Sequence, residues 1–99
     1  MEKLRIGYFA DGPWGHLTLD ILLQDKSLEV AFIVPRNDTK DEYLKNKALE
    51  NGIDYLVPVK VNSDEFYQQA IIYNCNIFVS MSYNQIFRER IYNLPKYKT

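Results

Sequence analysis

Short apolar runs recur along the chain at intervals of about 25 residues, each ended by turn formers and followed by a stretch with helical spacing. Leu4 to Ala10 (LRIGYFA) is apolar almost throughout and is closed by Asp11-Gly12-Pro13. Leu28 to Pro35 (LEVAFIVP) repeats that pattern, and Ile77 to Val79 gives a third, shorter run. Such continuous apolar character, rather than alternation, predicts strands covered on both faces, as in parallel sheets. A weaker run at Asp54 to Val57 predicts another short strand.

Between the runs, the spacing changes to that of helices. Pro13 suits a first helical position, with Gly12 or Asp11 as cap, and Trp14, Leu17, Ile21 and Leu22 predict an inward face for a helix reaching Gln24. From Asp41 to Glu50, Leu44, Ala48 and Leu49 share a face, acids open the first turn, and Asn51-Gly52 supplies the stop. Asn62-Ser63-Asp64-Glu65 reads as a capping box headed by Asn62, opening a helix with Phe66, Ala70 and Tyr73 inward that ends near Asn74. A last short helix is closed by Asn93-Leu94-Pro95.

Strands alternating with helices predict an α/β, Rossmann-like three-layer sandwich with a mostly parallel sheet. The expected strand order is 3-2-1-4, with a switch point between the first and fourth strands, where ligands of open α/β sheets bind. The alternation is the βαβ period and not a solenoid repeat, because the units share no side-chain signature.

Composition narrows the function classes. The 99 residues are 46% hydrophobic and 14% aromatic, which fits one globular domain that is small for a complete α/β enzyme. No apolar run approaches the ~20 residues of a bilayer span. Twelve basic and 13 acidic side chains give a net charge of -1 without a single-sign block, so the electrostatic footprint of a nucleic-acid binder is missing. Cys75 is the only cysteine, which excludes an internal disulfide, and with no base beside it the reading is a packed thiol. The opening Met1-Glu2-Lys3-Leu4-Arg5 runs into a strand without the apolar segment of a secretory signal, so a cytoplasmic location is expected.

Candidate chemistry concentrates at two turns. Asp11-Gly12-Pro13-Trp14-Gly15-His16 lies where a dinucleotide fingerprint would be, but only Gly12 and Gly15 fall at a useful spacing. The segment is a tight turn or a ligand contact, and Trp14 is either a stacking platform or the first core anchor of its helix. His16, the one histidine, has no acid or nucleophile fixed beside it by sequence and reads as a half-exposed first-turn residue. Arg36, beyond the second strand, meets a ribose phosphate or caps a solvated loop. The second turn, Ser82-Tyr83-Asn84-Gln85-Ile86, forms a polar rim after a buried strand. Metal-ligand clusters, a Ser-His-Asp arrangement and a phosphate loop are absent from the sequence.

The segment Ser80 to Phe87 (SMSYNQIF), followed by Asn93-Leu94-Pro95-Lys96-Tyr97-Lys98-Thr99, resembles the folate-dependent formyltransferase family, and within it the nucleotide-sugar N-formyltransferases. The resemblance implies that Ser82, Tyr83, Asn84, Gln85 and Ile86 line the site of the formyl donor, 10-formyltetrahydrofolate. It also implies that Gly12, Pro13 and Trp14 face the acceptor, a nucleotide-linked amino sugar such as a dTDP-4-amino-4,6-dideoxyhexose. Catalytic residues are expected after Thr99, in an Asn-x-His segment and a later Asp. These residues would then be the N-terminal part of a catalytic domain, inactive alone.

The tRNA-directed members carry a sequence close to Thr-Pro-Glu-Phe at the first turn and a longer, basic connection after the second strand. Methionyl-tRNA formylation is therefore the alternative, and a non-catalytic nucleotide-binding module the alternative from another class. A membrane partner is not expected, nucleic acid is disfavoured, and an uncovered edge or face at Ile77 to Val79 predicts self-association.

Overall fold

The computed structural model describes residues 3–83 and 87–95. Its sheet is built on β1 (Leu4–Ala10), which pairs in parallel with β2 (Leu28–Pro35) on one side and β4 (Ile77–Met81) on the other. A two-residue β3 (Asp54–Tyr55) pairs with β2 through Phe32 and Ile33. The order is β3-β2-β1-β4, all parallel, as the alternation predicts. A strand with neighbours on both edges and helices on both faces has no solvent side. Hence Ile6 through Ala10 are buried without interruption.

Residues of β1 alternate between two cores. Ile6, Tyr8 and Ala10 join Val30, Ile33 and, from the helices α1 (Gly12–Gln24) and α2 (Glu42–Glu50), Leu19, Leu44 and Ala48. Phe9 points the other way, into Phe32, Val34 and Phe78, with Phe66 and Ala70 of α3 (Asp64–Ile71) and Ile91 of α4 (Glu89–Tyr92). The β1–β2 register skips Ala31 between the Ile6–Val30 and Gly7–Phe32 pairs. One extra residue on β2 lets Ala31 and Phe32 both serve the aromatic core. The base of β1 is tied to the start of β4, where Arg5 N–H donates to Asn76 Oδ1 at 2.7 Å and Asn76 N–H to the Arg5 carbonyl at 2.8 Å.

Several local expectations change. Leu17 and Ile21, expected inward, are 55% and 60% exposed, and Trp14, left open between platform and core anchor, is 70% exposed. The inner face of α1 is set instead by Gly15, where an added Cβ would come within 3.0 Å of the Ala10 Cβ. The helix comes close to the sheet where it has no side chain, and Leu19, Leu22 and Leu23 follow on that face. Leu49 is exposed while Leu44 and Ala48 are buried as expected. The cap of α3 is Ser63, which accepts from Phe66 N–H, rather than Asn62. That helix ends at Ile71, leaving Tyr73 to pack from the following turn, and β3 ends at Tyr55 rather than Val57. Among the described residues β4 is an edge strand, with Ile77 and Val79 half-buried, and no helix is long and apolar enough to cross a membrane.

Candidate functional site

At the carboxyl end of the sheet, Ala10 of β1 lies beside Met81 of β4. Beyond them Asp11 N–H donates to the Met81 carbonyl at 3.2 Å. This bond brings together the two turns singled out in the sequence, at the strand-order reversal where open α/β sheets bind ligands.

On the β4 side, Ser82 has φ 59, the left-handed region that a non-glycine residue enters at a cost of roughly 1–3 kcal/mol. It turns the chain out of the sheet with its side chain exposed. Tyr83 then folds back, its ring 5.6 Å from Phe9 and 6.1 Å from Phe87 between centroids. Its hydroxyl is buried without a hydrogen-bond partner among the described residues, and burial pushes its pKa up. A buried hydroxyl left in this state costs about 1–3 kcal/mol, so a hydrogen-bonding ligand at this turn has something to gain. Asn84, Gln85 and Ile86 lie outside the described residues. The segment beyond them is held by Asn62, whose Oδ1 accepts from Arg88 N–H at 2.7 Å. Asn62 thus clamps the far end of the second turn instead of capping α3.

On the β1 side, Gly12 has φ +74, and an added Cβ there would meet nothing within 4 Å. Glycine is required by the backbone and not by space. Pro13 and Trp14 are exposed, Trp14 enough to serve as a platform rather than a core anchor.

The residue that sequence reasoning missed is Asp41. As the N-cap of α2 it accepts from Leu44 N–H at 3.2 Å. The same carboxylate accepts from Gly12 N–H at 3.0 Å and meets His16 Nε2 at 2.8 and 2.7 Å through its two oxygens. Its side chain is 10% exposed and that of His16 26%. His16 also stacks on Tyr43, with 4.2 Å between ring centroids. Burial alone would raise the Asp41 carboxyl, but donation from His16, Gly12 and Leu44 outweighs it and holds the pKa below the usual value. Tyr55 donates to the Asp41 carbonyl at 3.0 Å, and its own hydroxyl is pushed up to about 12 by burial, then by the charges of Asp41, Glu42 and Asp11. An Asp three residues before an apolar helical position announces a cap. The His16 partner, 25 positions away, is a tertiary fact.

The loop after β2 closes on itself and on the first turn. Arg36 is paired with Asp38, Nη2 to Oδ2 at 2.7 Å, and the Thr39 hydroxyl donates to Asp11. Arg36 therefore caps a solvated loop. Cys75 is buried, its thiol pushed up to about 11 by that burial, which makes it a poor nucleophile. Among the described residues, no group of three or more His, Cys, Asp or Glu side chains is placed to hold a metal ion.

Compared with curated proteins, the chain is 24% identical over 103 residues to the methionyl-tRNA formyltransferase of Chlamydia pneumoniae, across 96% of this chain and 32% of that protein. It is 27% identical over 105 residues to the methionyl-tRNA formyltransferase of Chlamydia caviae, across 98% of this chain and 32% of that protein. This similarity supports the formyltransferase family. No protein-family model matches the chain. The chain spans about a third of the length of the curated relatives it matches. The similarity agrees with the resemblance carried by the SMSYNQIF segment, whereas the relatives' names point to methionyl-tRNA rather than to a nucleotide sugar.

Asp41 also carries a measurable share of stability. Asp41→Asn is expected to cost about 1–2 kcal/mol near neutral pH, through the weakened cap and the lost charge on the His16 and Gly12 contacts. Because the folded-state pKa lies below the unfolded one, the charged carboxylate's contribution is present above the unfolded value of about 3.9 and is lost as pH falls through the folded value. Urea unfolding of both proteins from neutral to acid pH checks this. Their stabilities should converge below about pH 4, and a gap that stays constant into acid would refute the assignment.

Proposed function

We propose that the chain is the N-terminal part of a formyltransferase that takes the formyl group from 10-formyltetrahydrofolate and gives it to the amino group of methionyl-tRNA. The observation that carries this reading is the similarity to methionyl-tRNA formyltransferases over nearly the whole chain. In this reading Ser82, Tyr83 and the residues through Ile86 form the donor wall and Gly12 to Trp14 the acceptor wall. Walls of this kind accelerate a reaction by holding the amine and the formyl carbon in register. His16 does not serve as the base in this reading, because its Nε2 faces Asp41. The groups that take the proton and steady the developing oxyanion lie elsewhere in the longer protein, so residues 1–99 turn nothing over by themselves.

A nucleotide-linked amino sugar is the second reading for the acceptor, and the loop after β2 favours it. Its arginine is tied to Asp38, and in the sequence Lys40 is flanked by the acids Asp38, Asp41 and Glu42. Recognition of a phosphate backbone rests on clustered unneutralised Lys and Arg.

Trp14 is the only tryptophan and is exposed, so its fluorescence reports on the acceptor wall, while backbone amide shifts report on the donor wall. With the stable 5-formyl isomer of the donor, saturable shifts are expected at Ser82, Tyr83 and Phe87. Shifts confined to the opposite end of the sheet, around Lys3, Arg5 and Asn51, would remove the donor assignment. Quenching of Trp14 by methionyl-tRNA but not by a dTDP-linked amino sugar selects the first acceptor, and the converse selects the second.

A further inference from the structure

We propose that Asp41 is a specificity-determining residue: its carboxylate occupies, from within the chain, the position at the β1–α1 turn where a sheet of this topology takes a phosphate, and so closes that turn to dinucleotides. The inference stands whether or not the protein transfers formyl groups.

A helix start after the first strand of such a sheet attracts anions, because its first amides point outward unpaired and carry partial positive charge. In α1, Pro13 has no amide hydrogen, and that of Gly12 is taken by Asp41 Oδ2 at 3.0 Å. The carboxylate is not a passing neighbour. It is nine-tenths buried, held through Leu44 N–H at the start of α2 and by His16 Nε2, and its backbone is fixed by the Tyr55 hydroxyl. A phosphate arriving at Gly12 would have to break these bonds together and would meet the charge of Asp41 at contact distance.

The neighbouring position for a ribose is closed in the same manner. Past the end of β2, Asp38 faces Arg36, and Thr39 donates to Asp11 across the two loops. The polar groups that a dinucleotide would engage here are thus bonded to one another. A nucleotide-bearing substrate must place its pyrophosphate elsewhere, and the first turn is left to groups without negative charge.

The probe is inorganic pyrophosphate, titrated at neutral pH into residues 1–99 as wild type, Asp41→Asn and Asp41→Ser, with amide shifts of Gly12, Trp14 and Gly15 as readout. Asn removes the charge with little change of shape, and Ser keeps a capping oxygen should Asn fail to fold. Wild type is expected to show no saturable shift at these amides at millimolar pyrophosphate. Each folded variant should bind at this turn at least about tenfold more tightly. Saturable binding of wild type at Gly12 would overturn the proposal. So would a folded variant that binds no better than wild type, since Asp41 would then not be what excludes the anion.

Discussion

Replacing Phe9 by alanine should lower the thermal midpoint by roughly 15–35 °C, enough to leave much of the chain unfolded at physiological temperature. Phe9 is 0% exposed and stands at the centre of the aromatic core. Its ring meets those of Phe32, Phe66, Phe78, Tyr83 and Phe87 edge-on, with centroids 5.7, 5.9, 5.1, 5.6 and 4.7 Å away. Rings ranged around one centre leave a hole that they cannot collapse into without breaking their own contacts. The loss therefore falls at about 3–5 kcal/mol, a large part of the stability of a domain this small. Trp14→Ala, at a 70% exposed position, is the control and should change stability by no more than about 0.5 kcal/mol. Circular dichroism melts of the two variants decide the matter, and equal losses would mean that Phe9 is not the hub.

Gly7→Ala should destabilise by about 1–3 kcal/mol, against the usual sign for glycine in a strand interior, where alanine is better by about 0.5–1 kcal/mol. The cause is steric. A Cβ at position 7 would stand 2.6 Å from Phe32 Cζ and 2.7 and 2.9 Å from Phe78 Cδ1 and Cε1, closer than real carbon contacts come. Both rings are buried and edge-packed on Phe9, so neither yields cheaply. Urea denaturation of Gly7→Ala alone and combined with Phe32→Leu tests the account. The shorter side chain should recover part of the loss, a non-additivity expected only between residues in contact. A stabilising or neutral Gly7→Ala would show that the close approach does not exist.

The strands and their order were legible because burial on both faces leaves a continuous apolar run, which no surface element shares. The inner face of α1 was not legible. Trp14, Leu17 and Ile21 make as good a helical stripe as Leu19, Leu22 and Leu23, and the choice falls to Gly15 against Ala10, a contact between elements. At the candidate site, the Ser82 turn and the Gly12 turn could be found from polar residues following buried strands. Their adjacency required the β1–β4 pairing, which the topology rule supplied. The junction of Asp41, His16 and Gly12 could not be read at all, because it joins the loops of two successive βα units through side chains. Asn62 shows the same limit, since Asn62 and Ser63 both suit a cap and only the fold assigns one to α3 and the other to Arg88 N–H.

The tie between Arg5 and Asn76 spans 71 positions, and it sets a schedule for the nascent chain. During synthesis β1 leaves the ribosome ahead of the other three strands of this sheet, and β2 can join it once the crossover helix α1 has been made. Its other edge stays open until β4 has been made, and Phe9 waits for Phe78 and Phe87. Until then the chain holds a bare aromatic surface beside an unpaired strand edge, the pattern that aggregates or recruits a chaperone. The earliest of these four strands thus keeps one edge open until the latest has been made, and slow translation between β2 and β4 would lengthen that exposure.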